Sequence, residues 1–359
     1  MAVSRPRTGL LLAATVTALA MTATPASAND GSPVQRVLDR AVADGGVPGI
    51  VAEIHRKHRK TWFGTAGVAD RATGAKRVQG EHFRIGSVTK AFTATVMLQL
   101  AAEGRLSMDD TVAKWLPGVV EEQLGGDGSK IDLRRLLNHT SGLPDVVPGQ
   151  EIPRPERPGA GFIYSKLNYN LAGMIIERVT GAKLADEIAR RIARPLGLTG
   201  TYLPGGETAI RTPHARHYTK DGTGPGAQIH DVTETDVSWA WAAGGMISTT
   251  ADLHRFLDSL LRGRLLPPAQ QREMFTTVST EGGDWIANTR YGLGVYAQRL
   301  RCGVTVWGGG GAVPGSWTYA MGSRRGTHRV VSNVNGDWDD PLATFTELLE
   351  ARFCRTGSR

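Results

Sequence analysis

Strand-like segments stand at both ends of this 359-residue chain, and helical periodicity fills the middle. Ile50–Ile54 and Thr61–Val68 read as a strand pair, rich in β-branched and aromatic residues. Tyr291–Gln298, Gly303–Trp307, Ser316–Met321 and Arg329–Asn333 read the same way near the other end. Between residues 87 and 266 apolar positions recur at helical spacing, first in Thr89–Glu103, stopped by Gly104. Leu133–Leu137, Asn168–Thr180, Lys183–Ala193 and Thr250–Leu261 follow, while Val34–Ala43 and Leu342–Phe353 add a helix at each end. The simplest assembly joins the distant strands and leaves the helical stretch as an excursion. This predicts an α/β fold: one antiparallel sheet flanked by N- and C-terminal helices, plus an all-helical lobe against one edge. The sheet lobe takes about residues 34–84 and 284–354, and the helical lobe about 87–270. A site belongs in the cleft between them, with the proline-rich loop Pro144–Pro158 at its rim.

The first residues do not belong to that pattern. Arg5 and Arg7 precede an apolar run, Leu10–Ala20, and Ala26-Ser27-Ala28 has the small residues of a cleavage site. The expectation is a signal peptide, residues 1–28, cut after Ala28, and a secreted product. The apolar run is shorter than the ~20 residues a membrane span needs, so no stable anchor is expected. The net charge is +8, of which Arg5 and Arg7 supply two, leaving +6 after cleavage. That balance suits an anionic cell wall, or solubility alone. The densest basic cluster, His55–Lys60, lies between strand-like segments and reads as a solvated hairpin tip, so no nucleic-acid partner is expected. The two cysteines, Cys302 and Cys354, suggest one disulfide in an oxidising compartment, with two buried thiols as the alternative. The nine histidines show no metal-ligand spacing and no phosphate-binding loop is present, so neither a metal nor a cofactor is expected.

The chemistry centres on Ser87-Val88-Thr89-Lys90, directly after the strand-like Phe83-Arg84-Ile85 and at a helix start. A serine hydroxyl is a poor nucleophile and needs an adjacent base. Residues three apart share a helix face, so Lys90 returns beneath Ser87. A desolvated lysine loses its charge and can accept the hydroxyl proton. The helix start favours negative charge, and the Ser87 N–H is placed to stabilise an oxyanion. The strand-to-helix context lifts the motif above a serine cap beside a surface lysine.

Phe83–Ala94 resembles the nucleophile segment of the Streptomyces-type secreted D-alanyl-D-alanine carboxypeptidases and the class C β-lactamases. Leu137-Asn-His-Thr-Ser-Gly-Leu143, Pro195–Leu198 and Ala243–Asp252 agree with that family in order, and the resemblance runs from about Val34 to Cys354. It implies the two-lobed fold deduced above and a disulfide between the two cysteines. It also implies that Tyr164 carries protons to the leaving group, that the Ala312 N–H is the second oxyanion donor, and that Trp239 lines the cleft.

Three positions depart from the family. Its Tyr-x-Asn motif reads Tyr164-Ser165-Lys166, its Lys-Thr-Gly or His-Thr-Gly motif reads Gly309-Gly310-Gly311, and Tyr296 stands where the carboxypeptidase holds the substrate carboxylate with an arginine. Acylation by Ser87, Lys90 and Tyr164 is expected to survive, while the carboxylate anchor is dismantled. Gly310 and Gly311 are expected to line the substrate, and Lys166 to supply a relocated cation or to point into solvent. The resulting expectation is a monomeric secreted serine hydrolase working through an acyl-enzyme on a peptide or ester substrate, with peptidoglycan fragments as the natural source. A carboxypeptidase-like or other D-peptidase activity leads. An esterase or acyltransferase, reading Trp307-Gly308-Gly309 in a shifted register, is the alternative, and a non-catalytic cell-wall-binding homologue is the second.

Overall fold

The computed structural model describes residues 32–56, 58–146, 151–222, 224 and 226–354. The expected signal peptide and its cut after Ala28 lie outside them, as does Pro148 of the proline-rich loop. The architecture is mixed α/β, a large antiparallel sheet with helices packed on it. Eight antiparallel strands run in the spatial order Trp62–Gly67, Gly49–Arg56, His328–Val334, Ser316–Ser323, Thr305–Val313, Tyr296–Arg299, Thr289–Tyr291, Val278–Ser279. The two ends of the chain meet where Gly49–Arg56 pairs with His328–Val334, with Ile50 opposite Val334 and Ile54 opposite Val330.

The helices Pro33–Ala43 and Pro341–Phe353 cover one face of the sheet. Each starts on a side-chain cap, Ser32 and Asp340, with proline in the first turn. Val34, Leu38, Ile50, Val330, Phe345 and Leu349 close the apolar layer beneath them. The other face carries the helical lobe. Its central helix, Thr89–Ala102, is apolar on all sides, as a helix enclosed by others must be, with Phe92, Val96, Met97, Leu98 and Leu100 all fully buried. Among the described residues no helix is long and apolar enough to cross a membrane.

Two elements differ from the sequence pattern. Tyr291–Gln298 is not one strand but the ends of two, Thr289–Tyr291 and Tyr296–Arg299. The chain folds back at Gly292–Val295, where the Gly292 N–H donates to Val295 O at 2.8 Å. Leu293 and Val295 keep the alternation going because both are buried in the helical lobe, which hid the turn. Gly294 (φ +74°) lies so close to Lys90 that a Cβ would sit 2.7 Å from the Lys90 carbonyl oxygen. Lys183–Ala193 is helical only in part as expected: Leu184–Ile188 widens into a π-turn over Ala189–Ala193.

Cys302 and Cys354 form a disulfide that ties the turn after Tyr296–Arg299 to the end of the last helix. It closes a loop of 52 residues in sequence separation. Such a cross-link removes unfolded-state entropy, so Cys302→Ser with Cys354→Ser is expected to lower stability by ~2–4 kcal/mol. Urea unfolding of the two proteins without reductant measures it, and dithiothreitol added to the unmodified protein should reproduce the shift.

Candidate active site

The strand Phe83–Arg84 leads through one 3-10 turn, Gly86–Val88, into Thr89–Ala102. Ser316 Oγ and Thr318 Oγ1 donate to Arg84 O at 2.8 and 3.1 Å, and Ile85 N–H donates to Met246 O at 3.0 Å, so both lobes grip this turn. Gly86 has φ +50°, and a Cβ on it would meet Ala312 N at 2.5 Å. A Cβ on Gly311 would meet Ile85 O at 2.2 Å and Ser87 N at 2.3 Å. Glycine at 86 and 311 therefore lets the strand Thr305–Val313 lie directly on the nucleophile turn, bringing the backbone nitrogens of Ser87 and Ala312 together.

Two side chains converge on the half-buried Ser87. Lys90 is fully buried, with Nζ 3.0 Å from Ser87 Oγ, and donates to Ala243 O at 2.8 Å. Tyr164 Oη donates to Ser87 Oγ at 2.7 Å. Burial holds the Lys90 ammonium well below the usual lysine range, the Lys166 charge pushes it lower, and Asp145 opposes them. Burial likewise raises the Tyr164 phenol above its ordinary range, with Asp145 reinforcing the shift and the bond to Ser87 opposing it. The arrangement thus sets an amine whose charge burial disfavours beside a protonated phenol on one hydroxyl. An uncharged Nζ keeps a lone pair for the Ser87 proton while its own N–H reaches Ala243 O.

Sequence reasoning missed what holds Tyr164. The buried His139 grips both flanking residues: Ile163 N–H donates to His139 O at 2.9 Å, and Ser165 N–H donates to His139 Nδ1 at 3.2 Å. Nδ1 is thus the acceptor and the ring is neutral, in keeping with a titration held far down by burial and by Lys90. Trp285 stacks on the Tyr164 ring at 4.2 Å. The only sequence signal was His139 inside the family-like segment Leu137–Leu143.

The other expected residues divide. Trp239 is 39% exposed, and its carbonyl accepts from Asn170 Nδ2 at 3.2 Å. Two expectations are corrected. The Lys166 ammonium is not a free cation: it pairs with Asp145, which also accepts the Lys166 N–H at 2.7 Å. Gly310 turns its missing side chain away from the nucleophile, because a Cβ there would strike the Tyr319 ring at 2.4 Å in the terminal-helix layer. Tyr296 is 2% exposed and packs in that same layer, so the position of the expected arginine holds a buried phenol. The shifted register fails too, since Trp307 packs on Phe275 while Gly311 meets the nucleophile turn.

Away from the cleft, the fold brings Glu53, His55 and His254 together, with one ligand-type atom of each within 4.8 Å of the others. Their polar atoms serve the protein: Thr250 Oγ1 donates to Glu53 at 2.6 Å, and His254 Nε2 meets Glu53 O at 2.9 Å. The Arg329 guanidinium, 3.4 Å from His55 Nδ1, opposes a cation there.

A sheet with a helical lobe, and a serine flanked by a buried lysine and a tyrosine at their junction, define an active-site serine hydrolase. Residues 34–351 match the family described as Beta-lactamase, and the chain belongs to it. A D-stereospecific amidohydrolase from Streptomyces sp. is 41% identical, with a TM-score of 0.79 over 90% of this chain and 99% of that one. The D-amino acid amidase of Ochrobactrum anthropi SV3, complexed with L-phenylalanine amide, is 27% identical, with a TM-score of 0.79 over 89% and 97% of the two chains. The esterase EstB of Burkholderia gladioli is 29% identical over 191 residues, 45% of this chain, and the match spans 48% of that protein's length.

Proposed function

We propose that this hydrolase cleaves amide bonds on the carbonyl side of D-amino-acid residues, through an acyl-enzyme on Ser87, without requiring a free carboxylate on the leaving side. The observation that carries the reading is the contrast within one cleft. Ser87, Lys90 and Tyr164 are assembled within hydrogen-bond reach, while Gly309, Gly311 and the buried Tyr296 offer no cation and the Lys166 charge is paired with Asp145. Likeness to a D-stereospecific amidohydrolase and a D-amino acid amidase supports the choice of substrate.

In the acylation step Ser87 Oγ attacks the carbonyl carbon as its proton passes to Lys90 Nζ. The oxyanion forms beside the N–H groups of Ser87 and Ala312. Lys90 returns the proton through Tyr164 Oη to the departing nitrogen, and the C–N bond breaks to leave an ester on Ser87. Water then attacks the ester, giving its proton to the same relay, and Ser87 Oγ–H is restored.

The test compares D-phenylalanine amide, L-phenylalanine amide and a peptide ending in D-Ala-D-Ala. A charge-assisted hydrogen bond contributes ~1.5–3 kcal/mol, so the missing anchor is worth roughly 10- to 150-fold. The D-amide should exceed both the L-amide and the carboxylate-ending peptide in kcat/KM by at least about tenfold. Preference for the D-Ala-D-Ala peptide would return the chain to carboxypeptidase chemistry.

A further inference from the structure

Three turns meet at one end of the large sheet: the hairpin after Gly49–Arg56, the turn after Ser316–Ser323 and the turn before Thr305–Val313. The register puts them together, with Arg56 opposite His328, Ser323 opposite Val306 and Arg299 opposite Thr305. Two helices finish at the same end. Thr250–Leu261 stops where Arg324 Nη1 donates to Leu261 O at 3.2 Å, and Pro341–Phe353 stops at Cys354, bonded to Cys302.

This end gathers the positive charge of the molecule. Arg56, Arg59 and Lys60 come from the first turn, Arg324 and Arg325 from the second, and Arg352 from the last helix. Among the described residues no carboxylate pairs with any of these six. Beside them Arg262, Arg264 and Arg329 share one carboxylate, Asp258. The six unpaired cations and the two that Asp258 leaves uncompensated equal the +8 of the whole chain, so the remaining residues balance one another.

The fold holds these charges against each other. Burial and the Arg56 charge pull the titration of Arg352 down to about 10. Burial, then Arg352 and Arg56, hold the His328 ring below its usual range. Helix C-termini favour nearby cations, which accounts for Arg262 and Arg352 but not for the hairpin tip or Arg325. A chain of anions lying across the three turns relieves the repulsion by pairing with several cations at once and releasing its own counter-ions.

The surroundings narrow the occupant. Surfaces that hold single-stranded nucleic acid set aromatic rings beside their cations for bases to stack on. Here the one large apolar side chain that is exposed, among the described residues, is Val304. That is also too little to sink into a membrane as an interfacial helix does. What fits is a flexible polyanion without bases or acyl chains. The strand Thr305–Val313 runs from this end to the nucleophile turn, where Gly311 meets the Ser87 backbone, so at ~3.4 Å per residue the two lie about 20 Å apart. We propose that this end of the sheet is a docking surface for a linear polymer of phosphodiesters joined by small polyols, the chemistry of poly(glycerol phosphate), which holds the hydrolase on an anionic matrix and leaves its cleft open. The surface does not depend on the reaction proposed above.

The test titrates the whole protein with soluble poly(glycerol phosphate) by calorimetry. Binding should saturate and should weaken at least tenfold between ~50 and ~200 mM salt. Arg59→Glu, Lys60→Glu and Arg325→Glu combined, all at exposed positions, should weaken it at least tenfold. Arg71→Glu, Lys76→Glu and Arg178→Glu combined make the same change in net charge from exposed positions elsewhere and should weaken it by less than about threefold, as a screened long-range effect. Thermal unfolding checks that both variants fold, and the first should match or exceed the Tm of the unmodified protein because it removes like-charge repulsion. Inorganic phosphate at the same phosphorus concentration should not displace the polymer. No saturable binding, equal losses in the two variants, displacement by inorganic phosphate, or tighter binding of single-stranded DNA or of phosphatidylglycerol vesicles at equal phosphate concentration would overturn the proposal.

Discussion

Lys90→Met is expected to lower kcat/KM by about 10³- to 10⁴-fold on amides and activated esters alike, the upper part of the range for a lost general base. It should also leave the protein folded. Lys90 is fully buried, and methionine fills nearly the same volume without a group to desolvate. The cost is one unpaired acceptor, Ala243 O, offset by removal of a buried amine. The same substitution has a signature in stability. Burial, then Lys166, depress the Lys90 titration in the fold, against an unfolded value near ~10.4. Between the two values the unfolded chain binds the extra proton, so stability rises with pH through that window. The contribution is complete above ~10.4 and is lost as pH falls toward the folded value. Urea unfolding at several pH values should show this slope in the unmodified protein and its loss in Lys90→Met. Activity has the matching acid limb, since only the uncharged amine accepts the Ser87 proton. A variant that keeps its activity, or a stability slope that survives the substitution, would remove Lys90 from the role of base.

Much of this was legible in the sequence, for physical reasons that also mark where legibility ends. Strand alternation and helical spacing are local, so both lobes could be read from them. Ser87 and Lys90 are three residues apart on a helix start, and their contact follows from helix geometry alone. The hairpin at Gly292–Val295 was hidden because its apolar residues are buried in the other lobe and imitate a continuing strand. Lys166 looked free because its partner, Asp145, lies 21 residues upstream in a proline-rich loop. Gly309, Gly310 and Gly311 looked like one degraded motif. In the fold they answer different demands: Gly311 clears the nucleophile turn, Gly310 clears Tyr319, and Gly309 meets nothing closer than Val88 at 3.8 Å. His139 and Trp285 were invisible as supports of Tyr164, since each reaches it through tertiary contacts.

Tyr164→Phe separates the second half of the mechanism from the first. An amine cannot depart as an anion, so amide cleavage needs a proton delivered to nitrogen as the bond breaks, whereas p-nitrophenolate departs without one. Tyr164 is suited to deliver it: burial keeps the phenol protonated, Oη lies 2.7 Å from Ser87 Oγ, and Lys90 Nζ sits 4.8 Å from the ring centroid. Phenylalanine retains the stack on Trp285 and the shape of the site, so the change removes one oxygen and little packing. Amide turnover should fall by about 10²- to 10⁴-fold. Acylation by a p-nitrophenyl ester, read from the burst phase, should fall by less than about tenfold, the scale of one ~1 kcal/mol neutral hydrogen bond to Ser87. Equal losses on the two substrates would mean that Tyr164 only holds the Ser87 hydroxyl. Lys90→Met supplies the control, because a lost base slows both acylations together, and only the relay residue can pull the amide and ester rates apart.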